Sequence, residues 1–387
     1  MIEYVNRSGS NCYKWDSECA RGKLPLWVAD MDFKAAPAII EALEQRVQHG
    51  VFGYNIVSDE YFEAVGRWFE RRHSWSGITK ANSIPTIGVV PAISAVLRAM
   101  TSKGDGVVTF LPAYNCFFSS IKNLDCELKS SELRCVDNHY EIDWDDFSEK
   151  AKQAKIFLLC NPHNPTGRIW RKEELEKLAD ICHENNLFVI SDEIHCEFEF
   201  PNYRYTPFSL VAKDDNYCVC TSASKAFNIA GLQCANIFVP NKNNYNSIEK
   251  AINIHEVCDL NPFGVVATIA AYNKSENWIN ELNEYVYGNY CFLRDFLTIN
   301  MPLLRLTRAE GTYLAWINIK GLGLNSEELC SQLSIKQNVL FNPSQMYGCE
   351  DYIRINLATS RSIIEKAMSG FMRLYHEISS KQARINI

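Results

Sequence analysis

The residues from Thr221 to Gly231 read Thr-Ser-Ala-Ser-Lys-Ala-Phe-Asn-Ile-Ala-Gly. They follow a short apolar run, Tyr217 to Cys220, that reads as a buried strand. Lysines normally stand on solvated faces. One placed just after a strand, among small hydroxyl residues, is better suited to chemistry. Ser222 and Ser224 can hold a phosphate while Lys225 offers an amine. Partial desolvation beside cationic or apolar neighbours lowers an amine's pKa, so that it can attack a carbonyl. The same residues read equally as an exposed loop lysine ahead of a turn at Gly231, and this stretch alone does not separate the two.

Other chemically capable residues fall at similar places. Gly106 to Leu111 is a short apolar run that ends at Pro112-Ala113-Tyr114. Ile156 to Cys160 ends in Asn161-Pro162-His163-Asn164-Pro165-Thr166-Gly167, and Leu187 to Ile190 ends in Ser191-Asp192-Glu193-Ile194-His195. Ile84 to Val90 reads as a further strand, with Gly88-Val89-Val90 leading into a helix from Pro91 to Met100. Pro suits the first helical position, and free N–H groups at such a junction can cradle a phosphate. Asn236 to Val239 reads as a strand after the lysine.

The elements behind these residues alternate. Short apolar runs and helical patterns, such as Lys172 to Asn185, follow one another from about residue 80 to 240. That predicts a largely parallel sheet with crossover helices, an α/β fold. Ligands of such sheets bind beyond the carboxyl ends of the strands, where Tyr114, Asn164, Asp192, His195 and Lys225 all fall. Helices are also expected over Ala38 to His49, and from Ser58, a suitable N-cap, to about Arg72. Beyond residue 285 a helix to about Asn300, strands at Thr312 to Ile319 and Tyr352 to Ala358, a helix after Asn325 and a terminal helix at Ser362 to Ser380 predict a smaller α+β domain. The expected division is a large domain over 46–285 and a small one over 1–45 and 286–387. Trp27 to Phe33, with its two aspartates and no periodicity, reads either as a loop passing close to a ligand or as a buried loop with capping aspartates.

Composition sets bounds. The chain has 387 residues, nearly half apolar, with net charge −7. This disfavours nucleic acid or an anionic membrane as the main partner. No apolar run reaches the length of about 18 residues that a membrane helix needs, and Met1 to Ser10 lacks the apolar core of a secretory signal. Fifteen cysteines, an odd number without a CxxC pair, read as small buried hydrophobes of a reducing cytoplasm rather than a disulfide framework. No metal is expected, because His163, His183 and His195 lack closed ligand spacing with cysteines. There is no GxGxxG after an early strand, which sets a dehydrogenase aside.

Pyridoxal 5′-phosphate (PLP) would use the remaining set. Its aldehyde needs a lysine, Lys225. Its ring nitrogen needs a carboxylate, Asp192, so that the ring can draw in electrons. Tyr114 can cover the ring, and Asn164 and His195 can donate to its phenolic oxygen. Val89, Val90, Ser222 and Ser224 can hold its phosphate.

Asn-Pro-x-Asn-Pro-Thr-Gly at 161–167, Ser-Asp-Glu-Ile-His at 191–195 and Ser-x-Ser-Lys-x-Phe-Asn-x-Ala-Gly at 222–231 resemble the class I/II PLP-dependent enzymes of fold type I. Trp27-Val28-Ala29-Asp30-Met31-Asp32-Phe33 and His195 resemble more narrowly the cystathionine β-lyase-like branch of carbon–sulfur lyases, the MalY/PatB type. The resemblance spans nearly the whole chain and implies a mostly parallel seven-stranded sheet in the large domain, beside the smaller α+β domain. It implies that Arg354, in Arg-Ile-Asn-Leu-Ala, grips a substrate α-carboxylate, with Asn164 and the Ala29 backbone beside it. It implies that Tyr54 reaches the cofactor phosphate of a neighbouring subunit in a homodimer. Where some relatives carry a phosphate-binding arginine two residues beyond the glycine, this chain has Gln233, which leaves more to Ser222, Ser224 and the Val89–Val90 amides. The activity implied is β-elimination of a thiol from a sulfur amino acid, with Lys225 as base and Lys225 or Tyr114 as acid. An aminotransferase would use the same lysine, aspartate and arginine. A PLP-binding protein without turnover has nothing to support it, since Lys225, Asp192 and Arg354 are all present.

Overall fold

A computed structural model describes residues 2–255 and 259–385. Its main sheet has seven strands: β1 Ser83–Thr86, β2 Gly106–Leu111, β3 Glu127–Glu132, β4 Ile156–Cys160, β5 Phe188–Asp192, β6 Tyr217–Thr221 and β7 Ala235–Phe238. Their order is β1-β7-β6-β5-β4-β2-β3. The neighbours β3, β2, β4, β5 and β6 pair in parallel, and β7 is antiparallel to both β6 and β1. The α/β reading therefore holds, with one reversed strand.

Alternation along the strands explains why the sheet sits between two layers. Ile156, Leu158 and Cys160 pack into one core with Phe188, Ile190 and Cys220. Phe157, Leu159, Val189 and Val219 pack into the other. Both faces are buried, as crossover helices require. By the same two-residue period Asp192 continues the face of Phe188 and Ile190.

One expectation needs correction, and two further details were not legible in the sequence. The run Ile84 to Val90 is not one strand: β1 stops at Thr86, and the helix Val89–Met100 opens at Val89 rather than Pro91. Gly88, with extended backbone (φ 167°), takes the N-cap. Pro91 then lies in the first turn, where its missing N–H costs nothing. The edge strand β3 was not anticipated, because Glu-Leu-Lys-Ser-Ser-Glu has no apolar period and its Glu127 and Leu128 are exposed. Ser58 does occupy the N-cap of the helix Asp59–His73, but its side chain makes no capping bond.

A second sheet, order β8-β9-β11-β10, is antiparallel throughout: β8 Arg305–Leu306, β9 Leu314–Asn318, β10 Asn342–Pro343 and β11 Tyr352–Asn356. Helices Ser326–Gln337 and Arg361–Ile385 accompany it. Beside it, the N-terminal segment forms a separate two-stranded sheet, Leu24–Pro25 pairing in parallel with Val339–Leu340. The expected division points at 45/46 and 285/286 fall inside helices, Pro37–His49 and Glu276–Asn300.

Fourteen cysteines among the described residues are unpaired, most of them buried. Cys196 lies against Glu197 and His73, close enough for the three to share an ion. The Glu197 oxygens already accept from Trp68 Nε1 (2.7 Å), His73 Nε2 (2.9 Å) and Arg72 Nε (2.9 Å). Burial alone would raise the Glu197 pKa, but His73 and Arg72 hold it at about 2. The group ties the helix Asp59–His73 to the segment after β5.

Candidate active site

The carboxyl ends of the parallel strands lie level. Cys160 pairs with Asp192, and Asp192 with Cys220. The chain beyond each end therefore converges on one place. A cavity of ≈ 210 Å³ opens there, lined by Lys225, Asp192, Asn164, His195, Tyr114, Ser224, Ala29 and the Gly88–Pro91 turn. Nine of the sequence-predicted residues (Lys225, Asp192, Asn164, His195, Tyr114, Val89, Val90, Ser224, Ala29) share it.

Lys225 sits on a single turn of helix, Ala223–Ala226, capped by the Ser222 hydroxyl accepting from Ser224 N (3.0 Å). Its Nζ donates to the Ala29 carbonyl (2.6 Å). Burial lowers the amine's pKa; Arg354 lowers it further, and Asp30 and Asp192 oppose both. Asp192 is buried and accepts from Ile194 N (3.2 Å). Burial pushes its carboxyl up to about 7, against the Ile194 N–H and Lys225. A carboxylate so placed gains from a cationic N–H opposite it. His195 is also buried. Burial, then Lys225 and Arg354, push it down to about 3, so the imidazole is neutral at pH 7. Its Nδ1 is buried without a hydrogen-bond partner.

One predicted contact is spoken for. The Ser222 hydroxyl donates to Cys234 O (2.6 Å) and lies outside the cavity, so it orders the lysine turn rather than facing a ligand. Ser224 and the N–H groups of Val89 and Val90, which have no carbonyl one turn behind them, do face the cavity. Gln233 is exposed, with φ 51°, and does not line the cavity.

Arg354 enters from the second sheet. Tyr352, Arg354 and Asn356 alternate onto one face of β11. Arg354 is buried. Its Nη1 donates to Asn164 Oδ1 (3.1 Å) and its Nη2 to Trp27 O (3.1 Å), while Nε has no partner. The guanidinium also lies 4.8 Å from the Tyr347 ring centre. Tyr54 is fully exposed, among exposed Val51, Phe52 and Ile56, and does not line this chain's cavity.

The loop from Trp27 to Phe33 forms the opposite wall, so the first of its two sequence readings applies: it meets the cavity at Ala29. Its aspartates are not caps. Asp32 is fully buried and bonds Lys14 Nζ (2.9 Å) and Trp15 Nε1 (2.8 Å), and Asp30 pairs with Arg7 (2.8 Å). Side chains far along the chain hold the loop carbonyls. Asn342 donates to Trp27 O (2.7 Å), Asn356 to Val28 O (2.6 Å) and Asp30 O (2.5 Å), and Asn228 to Met31 O (3.0 Å) and Phe33 O (2.9 Å). Tyr313, also buried, donates to Ala29 O (3.0 Å). Sequence reasoning missed Asn228, Asn356 and Tyr313. Two stand inside quoted motifs, but nothing local shows that their partners lie 195 and 328 residues away.

The residues fit PLP by the chemistry of this donor set. A buried lysine, a buried carboxylate without a bound side-chain cation and a helix N-terminus surround one cavity, with partnerless polar atoms on His195 and Arg354. The sequence model of the family Aminotransferase class I and II matches residues 21–371. Cystathionine beta-lyase PatB of Bacillus subtilis is 34% identical over 94% of this chain and 96% of its own. The solved structure of cystalysin from Treponema denticola, which contains a pyridoxal 5′-phosphate cofactor, superposes with TM-score 0.94 at 30% identity, over 98% of this chain and 100% of its own. A PLP-bound C-S lyase from Staphylococcus hominis superposes with TM-score 0.90 at 30% identity, over 97% and 98%. The chain belongs to the class I and II aminotransferase family.

Proposed function

We propose that this member of the family is a PLP-dependent carbon–sulfur β-lyase that converts cystathionine or cysteine-like amino acids to a thiol, pyruvate and ammonia. One observation carries the reading: Lys225, Asp192, Asn164 and His195 line one cavity, and Arg354 is bonded to Asn164 at its edge. The likeness to PatB and to the C-S lyase over nearly the whole chain supports the lyase branch.

PLP, when bound, holds the amino group of the substrate and draws electron density from Cα. The Lys225 amine would hold the cofactor aldehyde and, with a substrate bound, would take the Cα proton. Asp192 would pair with the ring nitrogen as an ionised carboxylate. Asn164 and neutral His195 would donate to the phenolic oxygen, and Val89, Val90 and Ser224 would hold the phosphate. Arg354 clamps the substrate carboxylate through its planar fork. The leaving sulfur takes its proton from Lys225 rather than Tyr114. Burial raises the Tyr114 pKa above its ordinary value, whereas that of Lys225 is lowered toward the working range. Water completes the balance: the thioether and one water become thiol, pyruvate and ammonium.

In this reading residues 46–285 form the cofactor domain, and 1–45 with 286–387 the smaller one. The exposed run Val51–Ile56 packs on a second copy, so that Tyr54 reaches that copy's phosphate. Exposed apolar residues gathered in one run support such an interface. Purified protein given PLP and L-cysteine, with no keto acid, should release sulfide continuously. Release that requires an added keto acid would point to transamination instead.

A further inference from the structure

The Ala29 carbonyl accepts two hydrogen bonds, from Lys225 Nζ (2.6 Å) and from the Tyr313 hydroxyl (3.0 Å). A carbonyl oxygen has two lone pairs in the peptide plane. With one taken by Tyr313, the plane is fixed and the other lone pair is left to the amine. Tyr313 has little freedom to do otherwise. It is fully buried, with its ring edge-on to His195 (5.9 Å) and Phe198 (4.8 Å). Its own backbone carbonyl accepts from Leu357 N (2.8 Å). The carbonyls on either side of Ala29 are pinned by Asn356, so the peptide cannot follow a moving lysine.

We propose that Tyr313 is a positioning residue, which holds the Ala29 carbonyl as the acceptor on which the Lys225 amine rests whenever it is free of cofactor. The inference rests on the reading of Lys225 as the residue that binds PLP. An amine tied by one N–H to a fixed acceptor presents its remaining face in one direction. It therefore meets an aldehyde or a substrate Cα without a rotational search. The charged or titratable groups that face the amine are Asp30, Asp192, Arg354, Cys116 and His195. None is altered when Tyr313 becomes Phe, so the substitution isolates the hydroxyl.

The test uses cofactor-free full-length protein mixed with PLP, with the absorbance of lysine-bound PLP followed by stopped flow across a pH series. Tyr313→Phe should slow the attachment step about five- to tenfold, the effect of one neutral hydrogen bond, and move the midpoint of its pH profile. Tyr290→Phe is the control for a purely structural loss. Tyr290 is likewise buried, and its hydroxyl donates to a backbone carbonyl (Thr307 O, 3.0 Å) away from the lysine. Tyr290→Phe should attach PLP at the wild-type rate even where its melting temperature falls as far. Equal rates in wild type and Tyr313→Phe, or equal slowing in both variants, would overturn the inference. Wild-type protein that gives no lysine-bound band would instead sink the functional reading, and this inference with it.

Discussion

The two walls of the cavity are built in different ways. One is the rim of the parallel sheet. Asp192 ends β5, while Asn164 and Lys225 each follow a strand by a few residues, and the strand register brings those strand ends level. The other is the loop from Trp27 to Phe33 with Arg354 behind it. It has no regular structure, and side chains from distant segments hold its backbone. The first wall is positioned by the fold, the second by a set of individual hydrogen bonds. In the functional reading they also divide the work, the rim holding cofactor and the loop wall holding substrate.

If that division is right, substitutions on the two walls should fail differently. Lys225→Ala should have the largest effect, a loss of turnover of about a thousandfold or more. It should also lose the absorbance of lysine-bound PLP and keep the wild-type circular dichroism spectrum. Arg354→Lys keeps the charge but loses the fork. Its KM for an amino-acid substrate should rise about ten- to a hundredfold, with PLP attachment unchanged, as steady-state kinetics and a PLP titration would show. A matching loss of PLP affinity would break the division.

Asn356→Ala strips donors from Val28 O and Asp30 O. Thermal or urea unfolding should show a loss of about 1–3 kcal/mol, chiefly the cost of leaving Val28 O and Ala358 N without their Asn356 partners, since Asp30 O keeps Lys14 Nζ (3.3 Å). The KM should rise more than the PLP dissociation constant. Equal rises in both would mean that the loop serves the two sites alike.

The contrast also shows through pH. Burial raises Asp192 to about 7 from an ordinary 3.8, and the adjacent Glu193 to about 7 from 4.5. The folded form therefore keeps protons that the unfolded chain has released. Stability is full below about pH 4 for these groups and falls as pH rises toward 7. Glu197, held at about 2, acts in the opposite sense and loses its contribution only as pH falls from about 4.5 toward 2. Denaturant titrations of cofactor-free protein between pH 4.5 and 7 (roughly the window these shifts define) should show the decline. Saturating PLP should remove the part due to Asp192 but leave that of Glu193. A slope unchanged by PLP would place the cofactor away from Asp192.

The rim was legible in the sequence because its signals are local. Apolar runs mark strands, and reactive residues just past their ends converge wherever the sheet is parallel. Lys225, Asp192 and Asn164 could be found in this way, and the motif resemblance then supplied Arg354. The reversed direction of β7 was not legible, since an apolar run carries no polarity. The edge strand β3 was hidden because it owes its place to pairing with β2 rather than to an apolar face. The helix start at Val89 was obscured by two valines that suit either element. Tyr313 and Asn356 read as ordinary strand residues, and only the closure of the fold sets them against the loop.

The central claim, that the two walls together eliminate a thiol, is tested most directly with L-cystathionine, added PLP and no keto acid. Pyruvate and free thiol should appear together, in equal amounts and over many turnovers. A reaction that stops after one equivalent per site, and resumes only when a keto acid is supplied, would contradict the account.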